Sequence, residues 1–175
     1  MQIPLCKPSI DNKELEIITN SLRSPWLTHG PNNIKFEKLF SNKFKIPYSL
    51  SMNSCTSALE CAIKCQDLKG EIIIPSFTWV STANAVLNAG CKPVFADIEL
   101  NSRNIDPESI EEAVIFAKKQ NLVPRAIIPV DLFGLPARYR LIDEVAKKHN
   151  LVVIEDFAQA FGSSIRGKKA GSFGN

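Results

Sequence analysis

Short apolar runs alternate with helical stretches along most of the chain, and this alternation limits the folds open to it. The apolar runs span residues 48–52, 72–74, 93–96, 126–130 and 151–154. Each run is too short for a helix and is followed by polar and turn-forming residues, as expected for strands. Strands that alternate with helices predict a mostly parallel sheet covered by helices on both faces. We therefore expect an α/β domain.

The first 46 residues have a different, helical pattern. Asp11 and Asn12 can cap a helix that runs to about Arg23, and a second amphipathic helix follows up to Phe44. We therefore divide the chain into an N-terminal helical segment, residues 1–46, and an α/β region, residues 47–175. Helices of that region are predicted at residues 56–65, 80–88, 107–119 and 137–149, with a hairpin from residue 162.

The composition argues against several classes of protein. With 21 basic and 18 acidic residues the net charge is +3, and no basic stripe indicates nucleic-acid binding. The most apolar stretch, residues 72–89, is interrupted by Pro75 and by several Ser, Thr and Asn residues, so no membrane span is predicted. Residues 1–10 lack the pattern of a signal peptide. We therefore expect a cytoplasmic protein.

The five cysteines, an odd number, are typical of reduced thiols. Cys61 and Cys65 lie four residues apart on a predicted helix, a spacing that also occurs in metal sites. The two histidines, His29 and His149, lie in unrelated contexts, and no second cysteine pair exists. We therefore predict no metal site and interpret Cys61 and Cys65 as small buried hydrophobic residues.

Two of the strand ends are followed by residues suited to a phosphate and a flat ring. Ligands of open α/β sheets bind at the carboxyl ends of the strands. Ser54, Cys55 and Thr56 start a helix, whose free N–H groups favour an anion such as phosphate, although a plain helix cap has the same sequence. Trp79 follows the next strand and either lies flat on a cofactor ring or packs in the core.

The last strand ends in a carboxylate, Asp156, and Gln159 follows three residues later. A carboxylate at this edge can keep the ring nitrogen of pyridoxal 5'-phosphate (PLP) protonated, although a helix-capping Asp has the same position. The helix start at residues 54–56, the aromatic ring of Trp79 and the carboxylate of Asp156 are all expected at one edge of the sheet. Their coincidence predicts a PLP site.

These residues, in this order, resemble the PLP-dependent sugar aminotransferases of the DegT/DnrJ/EryC1/StrS family. The matching stretches are residues 27–31, 53–59, 75–85, 93–98, 155–160 and 171–174. The resemblance implies the large domain of the PLP-dependent transferase fold type I, with a mixed, mostly parallel seven-stranded sheet. It also implies that the enzyme is a homodimer, with each active site formed between two subunits.

The resemblance assigns a role to each candidate residue. The phosphate is held by Ser54, Cys55 and Thr56. Trp79 stacks on the ring, Asp156 binds the ring nitrogen, and Gln159 contacts the phenolic oxygen. Thr28 and His29 contact the substrate. Family members transfer an amino group, usually from glutamate, to a nucleotide-linked keto sugar, in the biosynthesis of amino sugars and surface polysaccharides such as lipopolysaccharide.

The family's Schiff-base lysine follows a Gly-Ser-Phe-Gly stretch, which here is residues 171–174. It is therefore expected beyond Asn175, and Lys168 and Lys169 precede the stretch and do not replace it. No catalytic residue is assigned, and we expect an incomplete large domain without the C-terminal small domain, inactive by itself. Two alternatives stay open: a family relative that dehydrates sugars with histidine in place of lysine, or a non-catalytic remnant.

Overall fold

The computed structural model describes Ile3 and residues 7–174. The chain forms two compact units, Met1–Ser51 and Met52–Asn175. The assignment of residues 1–46 and 47–175 as functional regions stays a prediction.

The first unit contains two helices, α1 (Asn12–Arg23) and α2 (Pro31–Phe44), which confirms the sequence-based prediction. Asp11 caps α1 by accepting the N–H groups of Lys13 and Glu14. The strand predicted at residues 48–52 is wrong. Its backbone is held by a side chain rather than by a neighbouring strand, because Ser51 donates both its N–H and its hydroxyl to Glu37 Oε1, at 2.8 and 2.7 Å.

The second unit is built on a four-stranded parallel sheet with the order β2-β1-β3-β4. Its strands are β1 (Glu71–Pro75), β2 (Lys92–Ala96), β3 (Pro124–Ile127) and β4 (Val152–Val153). A separate antiparallel hairpin consists of β5 (Ser164–Ile165) and β6 (Lys168–Lys169). The parallel sheet and the hairpin confirm the corresponding predictions.

Helices cover both faces of this sheet, as the strand–helix alternation predicts. They are α3 (Cys55–Cys65), α4 (Val80–Asn88), α5 (Pro107–Lys119) and α6 (Tyr139–His149). Residues alternate between the faces along a strand. Ile73 therefore packs in a cluster with residues of α5 and α6, whereas Ile72 and Ile74 pack with residues of α3 and α4. In the part of the chain that the structure describes, no helix is long and apolar enough to cross a membrane.

Several boundaries differ from the sequence-based expectation, and two of the differences concern the chain that follows β3. Strand β3 ends at Ile127, and Val130 forms only an isolated parallel bridge with Asp156. Helix α6 begins at Tyr139 rather than at residue 137, because the N–H of Ala137 donates to the buried Asp131 carboxylate at 2.9 Å. The bridge between Val130 and Asp156 and the hydrogen bond between Ala137 and Asp131 hold the chain after β3 at the carboxyl edge of the sheet.

Candidate functional site

A buried carboxylate, Asp156, lies at the carboxyl end of the sheet, directly after β4. Its backbone is fixed on both sides, since its N–H donates to Pro129 O at 3.0 Å and its C=O accepts the N–H of Asp131 at 2.9 Å. Only 6% of the residue is exposed. The side chain is therefore held in one place at the edge where ligands of such sheets bind.

Three donors hold the Asp156 side chain. The Thr82 hydroxyl donates to Oδ2 at 3.2 Å, and the Ala158 N–H and the Cys55 thiol donate to Oδ1 at 3.2 and 3.6 Å. Thr78 in turn contacts the Thr82 hydroxyl at 3.2 Å. A carboxylate has about four lone-pair sites. One site on Oδ2 is therefore left for a further donor, which fits the protonated ring nitrogen of PLP.

The start of α3 lies beside this carboxylate, as the Cys55–Asp156 contact requires. Ser54 caps the helix, since its hydroxyl accepts the N–H of Ser57 at 3.2 Å. Partial burial of the Cys55 thiol, with the charge of Asp156, raises its pKa to about 12, so that it is a neutral donor at pH 7. The capping alternative for Ser54 is observed. It leaves the N–H groups of Cys55 and Thr56, in the first turn, available to an anion.

Trp79 and Gln159 also lie on this unit. Trp79 precedes α4 and is 71% exposed, so the alternative that it packs in the core is wrong. Its carbonyl accepts the N–H of Thr82, the residue that binds Asp156. Gln159 is exposed, and its Oε1 accepts the N–H of Phe133 at 3.0 Å. The structure thus brings the elements that carry Cys55, Trp79 and Asp156 together through Thr82 and the Cys55 thiol.

The two predicted substrate residues, Thr28 and His29, lie in the first unit. Both are exposed. His29 Nε2 lies 3.5 Å from Glu37 Oε1, and Thr28 lines a cavity of about 570 Å³ formed by residues of α1, α2 and their connection. Their contact with substrate stays a prediction.

Sequence reasoning did not identify the buried Asp131. The residue is fully buried, and Oδ1 accepts the N–H of Ala137 and the hydroxyl of Tyr139, both at 2.9 Å. Its Oδ2 receives no hydrogen bond from the described residues, and its neighbour is another acceptor, the Glu155 carboxylate. Burial, with the charge of Glu155, raises the pKa of Asp131 to about 7. The sequence feature that could have identified Asp131 is its position as a charged residue directly after the apolar run at residues 126–130.

We expect Asp131→Asn to remove a pH dependence of stability. The pKa of Asp131 is raised from 3.8 to about 7 in the folded state. The stabilisation of the fold that depends on its protonated carboxyl group is therefore complete below about pH 3.8 and is lost as the pH rises through 7. Asparagine keeps Oδ1 as an acceptor and offers an N–H group towards Glu155. The difference in unfolding free energy between variant and wild type, from urea unfolding, should shift in favour of the variant as the pH rises. A pH-independent difference would contradict this.

Glu155, the residue before Asp156, holds the turn that follows β6. Its Oε1 accepts the N–H of Gly171 at 2.5 Å, and its Oε2 accepts those of Phe173 and Gly174 at 2.6 and 3.3 Å. Gly171 has φ of +87°, and a Cβ there would lie 2.7 Å from the ring of Phe157. The Gly-Ser-Phe-Gly stretch is therefore a turn whose donors converge on one carboxylate.

The comparisons with known proteins agree with the sequence-based resemblance. The model of the DegT/DnrJ/EryC1/StrS aminotransferase family matches residues 8–175. The spore coat polysaccharide biosynthesis protein SpsC of Bacillus subtilis is 36% identical, over 99% of this chain and 43% of its own length. A GDP-perosamine synthase of Escherichia coli O157:H7 is 34% identical, over 99% of this chain and 47% of its own length.

Solved structures match as well. The PLP form of a Streptococcus pneumoniae protein, described as a sugar aminotransferase, superimposes with a TM-score of 0.88 at 28% identity. The match covers 99% of this chain and 47% of that one. The chain thus spans less than half the length of each of these proteins.

Proposed function

Because the chain belongs to the DegT/DnrJ/EryC1/StrS aminotransferase family, we propose that it provides the cofactor-binding part of a PLP-dependent sugar aminotransferase. The amino acceptor is a nucleotide-linked keto sugar, and the amino donor is an amino acid, glutamate. The relative named GDP-perosamine synthase supports a nucleotide-sugar substrate. The product enters amino-sugar or surface-polysaccharide biosynthesis, and the active site is completed by a second copy of the chain.

The observation that carries this proposal is the buried Asp156 with one lone-pair site left. Bound PLP acts as an electron sink for the carbon next to the amino nitrogen, most strongly when its ring nitrogen is protonated. The carboxylate of Asp156 stabilises that proton. Thr82 and Ala158 fix the orientation of the carboxylate through their hydrogen bonds at 3.2 Å. The cofactor's nitrogen therefore meets a charge that is already in position.

The remaining candidates take roles around Asp156. We propose that Ser54, Cys55 and Thr56 bind the phosphate at the start of α3, where the helix dipole favours an anion. Trp79, which is 71% exposed, supplies a free aromatic face for the ring. Gln159 binds the phenolic oxygen. In the first unit, Thr28 and His29 contact the sugar substrate.

The phosphate role can be tested with pyridoxamine 5'-phosphate, which forms no Schiff base with surface lysines. We expect saturable binding in equilibrium dialysis, and much weaker binding of pyridoxamine, which lacks the phosphate. Thr56→Val keeps the side-chain shape but removes a hydroxyl that would bond a charged group, worth about 1.5–3 kcal/mol. Affinity for the phosphorylated compound should therefore fall by about tenfold or more.

A control variant accompanies this experiment. Thr19→Val removes a hydroxyl from α1 that donates to the carbonyl of Leu15. It should leave the affinity for pyridoxamine 5'-phosphate unchanged. Equal binding of the phosphorylated and unphosphorylated compounds, or equal effects of the two Val variants, would argue against the phosphate site at α3.

A further inference from the structure

A pair of cysteine thiols lies on α3, away from the candidate cofactor site. Cys61 is half-buried and Cys65 is exposed, so the interpretation of both as buried hydrophobic residues is wrong for Cys65. Their sulfur atoms lie 3.8 Å apart. The thiols of Cys55 and Cys91 have other partners, the Asp156 carboxylate and the carbonyl of Leu68. Only Cys61 and Cys65, among the described cysteines, face each other.

Helix geometry favours a bridging ion over a disulfide at this pair. Residues four apart on a helix have Cβ atoms about 5–6 Å apart, whereas a disulfide needs about 3.5–4.5 Å. Two sulfur ligands of a tetrahedral zinc ion, each at about 2.3 Å, lie about 3.8 Å apart. The observed separation of 3.8 Å equals that tetrahedral edge. Zinc ligands four residues apart on one helix face are also a known arrangement.

We propose that Cys61 and Cys65 form a site for a soft divalent cation of the Zn²⁺ type, bound by both thiolates. In the described part of the chain, α3 included, no group of three or more His, Cys, Asp and Glu side chains is arranged to hold a metal ion. The pair therefore supplies two ligands, and water fills the remaining positions. The site is independent of the proposed aminotransferase function, and it revises the sequence-based expectation of no metal.

Binding exchanges protons and water without any redox change. Each thiol releases its proton to the solvent, each thiolate forms one bond to the ion, and four of the six water ligands leave, so that a tetrahedral ion keeps two waters. Protons therefore compete with the ion, and the affinity should increase as the pH rises. The flanking Glu60–Lys64 ion pair, at 2.5 Å, leaves no net charge beside the site.

The test is a Zn²⁺ titration of the whole chain, with free zinc set by a chelator buffer and a phosphine reductant present. All proteins carry Cys6→Ser, so that this thiol does not contribute. Loss of a partner that only orients a zinc ligand costs about 10–100-fold in affinity. Loss of a ligand should cost at least as much, so Cys61→Ser and Cys65→Ser should each weaken binding by about tenfold or more. Cys91→Ser, which keeps a donor to Leu68, is the matched control and should bind as wild type.

A rescue variant separates ligation from folding. Cys65→His restores a zinc ligand at an exposed position and should bind more tightly than Cys65→Ser, while circular dichroism shows the same helix content for both. If Cys61→Ser unfolds, the two Cys65 variants carry the test. Binding that is unchanged in Cys65→Ser, or no tighter in Cys65→His than in Cys65→Ser, would overturn the proposal.

Discussion

Replacing Asp156 by Ala in the sugar aminotransferase whose cofactor-binding part we propose this chain to be is expected to lower the amino-transfer rate by about 10- to 1,000-fold. A neighbouring opposite charge shifts a pKa by about 1–3 units, and each unit is a factor of ten. The effect is large because the carboxylate is buried and its three donors hold it in place. Among the described residues, Asp156 is the carboxylate that accepts the Thr82 hydroxyl, and no second carboxylate contacts Thr82. The measurement is steady-state kinetics with PLP in excess, so that a loss of cofactor affinity is separated from a loss of turnover.

Asp156→Asn distinguishes charge from shape. Asparagine has nearly the same volume but no charge, so its turnover should fall with that of the Ala variant while its unfolding temperature stays closer to wild type. Asp143→Ala, which removes a carboxylate from α6, is the control and should keep normal turnover. Near-normal activity of Asp156→Asn would show that the carboxylate is not the partner of the ring nitrogen.

The sequence predicts the elements of this fold well where a local pattern determines them. Helix α4 and helix α5 have the bounds that the sequence pattern predicts. The segment at residues 48–52 has alternating apolar residues, but it forms no strand, and the N–H of Ser51 donates to Glu37, 14 positions earlier in the sequence. Contacts between distant residues are invisible to a periodicity argument.

The same limit applies to the candidate site. The strand ends predict that Trp79 and Asp156 lie at one edge of the sheet, whereas Cys55 contacts Asp156 although residues 48–52 before it form no strand. No local pattern predicts that Thr82 would donate to Asp156, because the two residues are 74 positions apart. The roles of Asp131 and Glu155 also depend on contacts with residues 8 and 16 positions further along the chain, Tyr139 and Gly171.

Glu155→Gln is expected to lower the unfolding free energy by about 1–3 kcal/mol, because an unsatisfied donor costs about that much. The Glu155 carboxylate accepts three backbone N–H groups from the turn at residues 171–174. A glutamine has one oxygen, and its amide nitrogen is itself a donor. At least one N–H of the turn therefore faces another donor, and the charge that strengthened all three bonds is lost.

The loss should be local to the turn that Glu155 holds. Phe173 of this turn stacks on Tyr139, with ring centroids 4.5 Å apart and nearly parallel planes, so loosening the turn exposes that ring pair. Amide hydrogen exchange should increase at residues 171–174, while the exchange of β1 and β3 stays slow. Glu144→Gln removes an exposed carboxylate that pairs with Arg140 and is the matched control. Its unfolding free energy should change by less than about 1 kcal/mol.

A double variant separates the role of the Glu155 charge from the role of its oxygen atoms. The charge of Glu155 contributes to the raised pKa of Asp131, so Glu155→Gln should reduce the pH dependence that Asp131 imposes. The effect of Asp131→Asn on the unfolding free energy should then depend less on pH in the Glu155→Gln background than in the wild type. Urea unfolding of the four proteins across the pH range measures this coupling. Additive effects at every pH would mean that the two carboxyl groups act independently, and that Glu155 contributes to stability only through the turn.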